Sequence, residues 1–168
     1  NKKDDWKVDV FYMDFKNFFQ WQPDANGRPL VRVNGGKFRN VGIEAEYGRR
    51  LSDRLKWNVS GSYSNPRQKE LNENYWKQAA PKLQFTTGIR YESPTWEAGT
   101  SFSFVTKRLR NRDGGLNPNI ALWNAYVGYH FNKDATLRLD ARNLLDRHNV
   151  ITNGDYEYWG DPFTYELS

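Results

Sequence analysis

The sequence contains no cysteine and only two histidines in 168 residues. Without thiols there is no disulfide framework and no thiolate metal centre. The histidines, His130 and His148, stand alone in the sequence. They are read as polar lumen or loop residues ahead of zinc or haem ligands. No run approaches the roughly 18 apolar residues that a membrane-spanning helix needs, and no segment carries a convincing helical period. A Gly-rich phosphate loop, a nucleophile elbow and a metal-ligand cluster are all missing. No enzymatic turnover and no cofactor are therefore expected. No signal peptide is visible and the first residue is Asn1, so the chain is read as an excerpt or a mature fragment.

What is present is polar, basic and aromatic. Mean hydropathy is −0.93 and the pI is about 9.4; net charge is +5 and aromatic residues make up 16%. The charge permits contact with anionic lipid, an acidic ligand or nucleic acid, and selects none of them. The low hydropathy argues against a helical membrane protein. It leaves a membrane barrel open, because only alternate barrel residues face lipid.

The informative signal is period two. Leu137, Leu139 and Ala141 fall on one side of a strand and Thr136, Arg138, Asp140 and Arg142 on the other. The same split opposes Leu55, Trp57, Val59 and Tyr63 to Lys56, Asn58, Ser60 and Ser62. It opposes Leu83, Phe85, Ile89 and Tyr91 to Gln84, Thr86, Arg90 and Glu92. Segments at 41–47, 96–104 and 123–131 behave alike. Residues 6–21 and 162–168 fit less cleanly, since Phe11, Met13 and Phe15 oppose Trp6, Val8, Val10 and Tyr12. This gives an all-β fold, an antiparallel meander of about eight strands.

The connections alternate in length. Short ones are expected at Leu51–Arg54, Ser93–Thr95 and Asn132–Asp134. Long polar ones are expected at Pro23–Leu30, Asn65–Ala80, Leu109–Asn117 and Arg147–Asp161. Short turns at one end and long loops at the other is the pattern of an outer-membrane barrel. Strands of about 11 residues are long enough to cross a bilayer when tilted. Tyr47, Trp57, Tyr91, Trp96, Tyr129 and Phe131 lie beside the short turns on the apolar side, where an aromatic belt is expected. An antiparallel sheet over a soluble core also alternates, but it predicts balanced hairpins and no aromatic rim. The fold expected is part of a transmembrane β-barrel.

In order and spacing, several segments resemble the last part of the TonB-dependent receptor barrel. The carrying residues are Asn34 through Glu46, with a Gly-hydrophobe-Glu centre, then Ser62-Tyr63-Ser64, then Ala80-Pro81-Lys82 leading to Tyr91. Asn143-Leu144-Leu145-Asp146 is similar to the family's Asn-Leu-Phe-Asp element, with Leu145 in place of the aromatic. Tyr158-Trp159-Gly160-Asp161-Pro162 looks like the loop exit before the final strand, with Phe163 where siderophore receptors carry arginine. The resemblance covers nearly the whole chain and implies a bacterial outer-membrane receptor. It also implies import of a scarce nutrient, most often a ferric siderophore, with haem, cobalamin or a glycan still open. The partners implied are the inner-membrane TonB complex, acting through a plug domain upstream of residue 1, and the lipid bilayer. The chain ends at Ser168 without the terminal aromatic of the family.

Candidate ligand contacts lie in the long loops. Arg108, Arg110 and Arg112 follow Lys107 at a loop entrance, and arginine forks suit carboxylate-bearing or anionic ligands. Tyr75, Trp76, Tyr156, Tyr158 and Trp159 supply aromatic contact area or pack the loops on one another. Glu44 and Glu46 share a face and are read as lumen lining rather than an acid/base pair. Asn117-Pro118-Asn119-Ile120 is read as a loop turn rather than a haem-receptor box. A stand-alone eight-stranded barrel with a structural or adhesion role is the alternative. A soluble sheet binding nucleic acid would need aromatic and basic residues on one face, and here they mostly oppose; no nucleic-acid partner is expected.

Overall fold

The computed structural model describes residues 4–22, 31–79, 81–106, 108–109, 115–153 and 156–168. The described residues form strands, turns and bends without helix. In chain order the strands are β1 (Asp4–Gln22), β2 (Val31–Arg50), β3 (Leu55–Ser64), β4 (Arg67–Lys69), β5 (Lys77–Gln78), β6 (Leu83–Glu92) and β7 (Trp96–Val105). They continue with β8 (Arg108–Leu109), β9 (Leu116–Asn117), β10 (Ile120–His130), β11 (Thr136–Arg142), β12 (Val150–Asn153), β13 (Tyr156–Trp159) and β14 (Thr164–Leu167). Eight of them, β1, β2, β3, β6, β7, β10, β11 and β14, pair in that order as an antiparallel meander.

The alternation sets the register. Directly paired residues share a face, so one face can be read across the ladder. Val10 opposes Ile43, which opposes Tyr63, which opposes Leu83. Tyr91 opposes Ala98, which opposes Val127, which opposes Leu139, which opposes Leu167. A one-residue slip would send each of these to the other side. The opposite face carries Lys7, Glu46, Ser60, Thr86 and Ser103 in one row.

No described residue covers the apolar face. Ala121 is the one buried hydrophobic residue among the described residues, whereas Trp6, Val10 and Tyr12 are 71%, 75% and 65% exposed. Val41, Ile43, Ile89, Trp96, Val127, Leu137 and Leu139 are exposed as well. A soluble protein does not present a contiguous apolar wall of this extent to water. Backbone pairing between neighbouring strands holds the sheet together; a packed core does not.

The three short turns occur where expected. Each is closed by a side chain that mimics backbone: Ser52 Oγ accepts from Arg54 N, Ser93 Oγ from Trp96 N and Asn132 Oδ1 from Asp134 N. Above them the aromatic rim forms, with Tyr47 edge-on to Trp57 and Trp96 edge-on to Tyr129, which meets Phe131. Near the other end of β1 the register shifts at Lys16–Phe19, with Asn17 at φ 60°. Asparagine tolerates that region, and bulges collect at barrel rims.

Two expectations are corrected. The connections at Asn65–Ala80, Leu109–Asn117 and Arg147–Asp161 contain strands of their own: β4 and β5 pair with each other and β4 with β2, β8 pairs with β9, and β12 pairs with β13. Exposed backbone in a long loop satisfies itself by folding into hairpins. The last two meander strands are short: β11 has seven residues and β14 four. Along β11, Asn143 in the left-handed region at φ 51° ends the strand, and β14 pairs with β11 alone among the described strands. As expected of part of a barrel, the eight strands do not close on themselves among the described residues: β1 pairs with β2 and not with β14, which goes against the stand-alone eight-stranded alternative. The connection Pro23–Leu30 lies outside the described residues.

Candidate functional site

The long-loop end carries the candidate ligand contacts, and its base is built on two buried asparagines. Asn143 is 2% exposed. Its Nδ2 donates to the carbonyls of Arg147 and Asp161, both at 3.0 Å, and its Oδ1 accepts from Arg147 N at 3.1 Å. Asn143 N in turn donates to Asn124 Oδ1 on β10. Asn149, 4% exposed, continues the ladder with its side chain: Oδ1 accepts from Ala121 N and Nδ2 donates to Ala121 O. Asp146, at φ 44°, accepts from Phe163 N through Oδ1 at 2.9 Å. The Asn143–Asp146 element thus ties both ends of the β12–β13 loop to β10. Its sequence signal was the resemblance to a family element; its job as a loop anchor depends on contacts 18 and 19 residues apart.

The β8–β9 hairpin leans on this loop. The Arg108 guanidinium donates to Val150 O, and burial lowers its pKa while the Glu157 carboxylate acts in the opposite sense. Arg108 Nε and Asn117 Nδ2 are buried without a hydrogen-bond partner among the described residues. His148 meets Trp159 edge-on at 5.8 Å. Tyr158 and Trp159 remain exposed, at 51% and 66%. Sequence-predicted Arg108, Tyr158 and Trp159 are therefore brought to one loop cluster. Arg110, Arg112 and Lys107 lie outside the described residues, as does the side chain of Tyr156, whose backbone pairs with Asn153.

Tyr75 and Trp76 belong to a different loop, hung on β2 by β4. Trp76 is occupied within the fold: the Arg39 guanidinium stacks on its ring at 4.1 Å. Tyr75 stays exposed, with the Lys77 ammonium 5.7 Å from its ring. Lys77 also pairs with Glu73 and Glu70. The hydrogen bond between Lys77 and Glu73 raises the lysine's pKa and lowers the glutamate's.

Clefts on the polar face include three of about 470, 330 and 260 Å³. The largest is lined in part by Asn58, Thr86, Arg90, Tyr126, Arg138 and Asp140. Arg138 is its hub, bidentate to Asp140 at 2.8 and 2.9 Å, bonded to Glu97 at 3.0 Å and stacked over Tyr126 at 3.9 Å. Tyr126 lies flat over Gly99, where a Cβ would come within 2.5 Å of the ring. Glu44 and Glu46 line the third cleft, opposite Asp9 and Lys7 of β1. His130 Nδ1 contacts Thr136 Oγ1 at 2.8 Å. Among the described residues no group of three acidic or histidine side chains is placed to hold a metal ion.

An uncovered apolar face, a polar face with clefts and an aromatic rim at the short turns are the features of a membrane barrel wall. Residues 1–144 match the family described as TonB dependent receptor-like, beta-barrel. The chain belongs to the TonB-dependent receptor β-barrel family. It is thus a β-barrel protein of the bacterial outer membrane, and its apolar face meets lipid. Solved structures agree on the fold. The ferric citrate transporter FecA in its unliganded form superposes with TM-score 0.80 at 21% identity, over 99% of this chain and 28% of that one. The ferric-catecholate import receptor Fiu of E. coli K12 gives 0.74 at 18% identity, over 99% and 25%. The copper transporter OprC gives 0.74 at 15% identity, over 98% and 28%. The chain spans about a quarter of the length of each. Curated protein sequences offer no match.

Proposed function

We propose that this TonB-dependent receptor barrel segment forms the C-terminal wall of a receptor that captures a ferric siderophore and admits it through the barrel. Import is driven by the inner-membrane TonB complex acting on a plug domain inside the wall. The observation that carries the reading is the two-faced sheet: an uncovered apolar side for lipid and a polar side with clefts for a hydrated interior. Among the described residues the outer edges of β1 and β14 carry unpaired backbone, which hydrocarbon does not tolerate, and this supports a place within a larger closed barrel. FecA and Fiu carry ferric citrate and ferric catecholate in their names, which favours iron; OprC, on the same fold, carries copper.

The contacts proposed for the ligand are Arg108, Tyr158 and Trp159, joined by Arg110, Arg112 and Tyr156 on the same two loops, with Tyr75 on the neighbouring loop, where Trp76 is already stacked on Arg39. Tyr158 and Trp159 are the pair to test first, because both rings are exposed above a buried anchor. The test is uptake of labelled iron from a panel of siderophores by iron-starved cells that carry the full receptor, or lack it, or carry Tyr158→Ala with Trp159→Ala. Loss of uptake of one siderophore on deletion, and a weakened apparent affinity in the double variant, is expected. Identical uptake with and without the receptor, across the panel, would refute the reading.

A further inference from the structure

The lipid-facing side ends in an unexpected row of cations. Lys16 lies directly opposite Lys37, and Lys37 directly opposite Lys69, across β1, β2 and β4. One row nearer the membrane, Arg39 opposes Arg67. These positions share the face of Val41 and Ile43, two and four residues further along β2 than Arg39. Like charges placed directly opposite in a ladder destabilise it. The one carboxylate in these rows is Asp14, opposite Arg39, which accepts from the Tyr12 hydroxyl at 3.2 Å. Lys16, Lys37 and Lys69 form no ion pair among the described residues, whereas Lys7, Lys56 and Lys77 each meet a carboxylate.

The height of the row identifies what lies beside it. On β2 the lipid-facing positions between Arg49 and Arg39 are Tyr47, Ala45, Ile43 and Val41. Ten residues at about 3.3 Å each give roughly 33 Å along the strand. At a tilt of about 40° that is roughly 25 Å along the membrane normal, the height of an outer-membrane apolar band. Arg49, paired with Asp4, marks the short-turn boundary. Arg39 marks the long-loop boundary, and the lysine row sits roughly 5 Å beyond it, at the level of the lipid headgroups. Trp76 stacked on Arg39 is also at home at that level. Strands lie about 4.8 Å apart, so the three ammonium groups can converge on one headgroup.

We infer that Lys16, Lys37 and Lys69, flanked by Arg39 and Arg67, form a docking site for a phosphate-bearing lipid headgroup of the outer leaflet. The lipid phosphate supplies the negative charge that the fold leaves out, and the repulsion within the row becomes attraction to one anion. The site lies on the outside of the wall; Lys69 and Arg67 share the β4–β5 loop with Tyr75 and Trp76, whereas Arg108, Tyr158 and Trp159 are on other loops. It rests on the lipid-facing assignment of this side and does not depend on which nutrient is carried.

The test uses the full receptor in detergent. Its thermal midpoint is followed during titration with micelles doped with phosphatidic acid, with matched micelles of phosphatidylcholine, and with inorganic phosphate alone. A lysine beside an anionic surface contributes about fivefold in affinity, so the triple Lys16→Gln, Lys37→Gln, Lys69→Gln variant should bind phosphatidic acid on the order of a hundredfold more weakly. The triple lysine-to-arginine variant, which keeps the charge, should retain binding, and Lys133→Gln in a short turn should match the unmodified protein. An unchanged titration in the glutamine variant overturns the proposal. So does an equal response to phosphatidylcholine, or a response to inorganic phosphate as strong as that to the lipid. Iron uptake by the same variants is scored separately, so failure here leaves the transport reading standing or falling on its own result.

Discussion

Val127→Arg places a charge on the lipid-facing side near mid-membrane. Val127 is 40% exposed and sits between Ala98 and Leu139 on neighbouring strands. Phe131, four residues away at the aromatic rim, lies about 13 Å along the strand. At a tilt of about 40° this puts Val127 roughly 10 Å deep, near the middle of a band about 25 Å tall. An arginine at that depth costs about 2–4 kcal/mol, roughly a 30- to 1,000-fold shift in the folding equilibrium. No carboxylate stands directly opposite to relieve it. The matched substitution is Ser60→Arg, on the polar face directly opposite Glu46, where an ion pair is available and water is near. The assay is folding of the full receptor into lipid vesicles across a urea series, read by the heat-sensitive mobility of the folded barrel on gels. Val127→Arg should shift the midpoint strongly and Ser60→Arg little. Equal shifts, or the larger one at Ser60, would refute the assignment of faces.

Three further outcomes follow from the geometry. Gly99→Ala drives a Cβ to 2.5 Å from the Tyr126 ring; displacing that ring from Arg138 should cost about 1–3 kcal/mol, and Gly99→Ala combined with Tyr126→Ala should recover part of it in the same urea series. Asn143→Ala strands the carbonyls of Arg147 and Asp161 without their donor, at about 1–3 kcal/mol, so residues 147–161 should become protease-sensitive while the barrel keeps its heat-sensitive mobility. The Glu73–Lys77 pair makes the β4–β5 hairpin pH-dependent. The glutamate's folded pKa is depressed, so its contribution is present above the ordinary carboxylate range and lost as pH falls through the lowered value. The lysine's is raised, so its contribution is complete below the ordinary lysine value and lost as pH rises through the raised one. Amide exchange of residues 70–78 should be slowest between those limits, and Lys77→Met should flatten the profile.

Much of the barrel was legible because one local rule, alternation, is written into each strand. The eight meander strands, the three short turns and the aromatic rim could all be read from side-chain parity and from the short gaps between alternating segments. Phe11 and Phe15 looked out of place in sequence. In the fold Phe11 lies over Gly42 and Phe15 meets Phe38, partners that only pairing of β1 with β2 supplies. The candidate site was legible as residue types and not as places. Tyr158 and Trp159 stand open, while Trp76 is taken by Arg39 and Arg108 by Val150, because each depends on which loop leans against which strand.

What the sequence determined by itself was the period and the chemistry of each face, since a strand turns its side chains alternately whatever it pairs with. Tertiary structure decided what lies across from what. Strand register set Lys16, Lys37 and Lys69 side by side although they are far apart in the chain. Hydrogen bonds over 18 and 28 residues made Asn143 and Asn149 the root of a loop. Such contacts follow from the geometry of pairing, which no local stretch of sequence encodes.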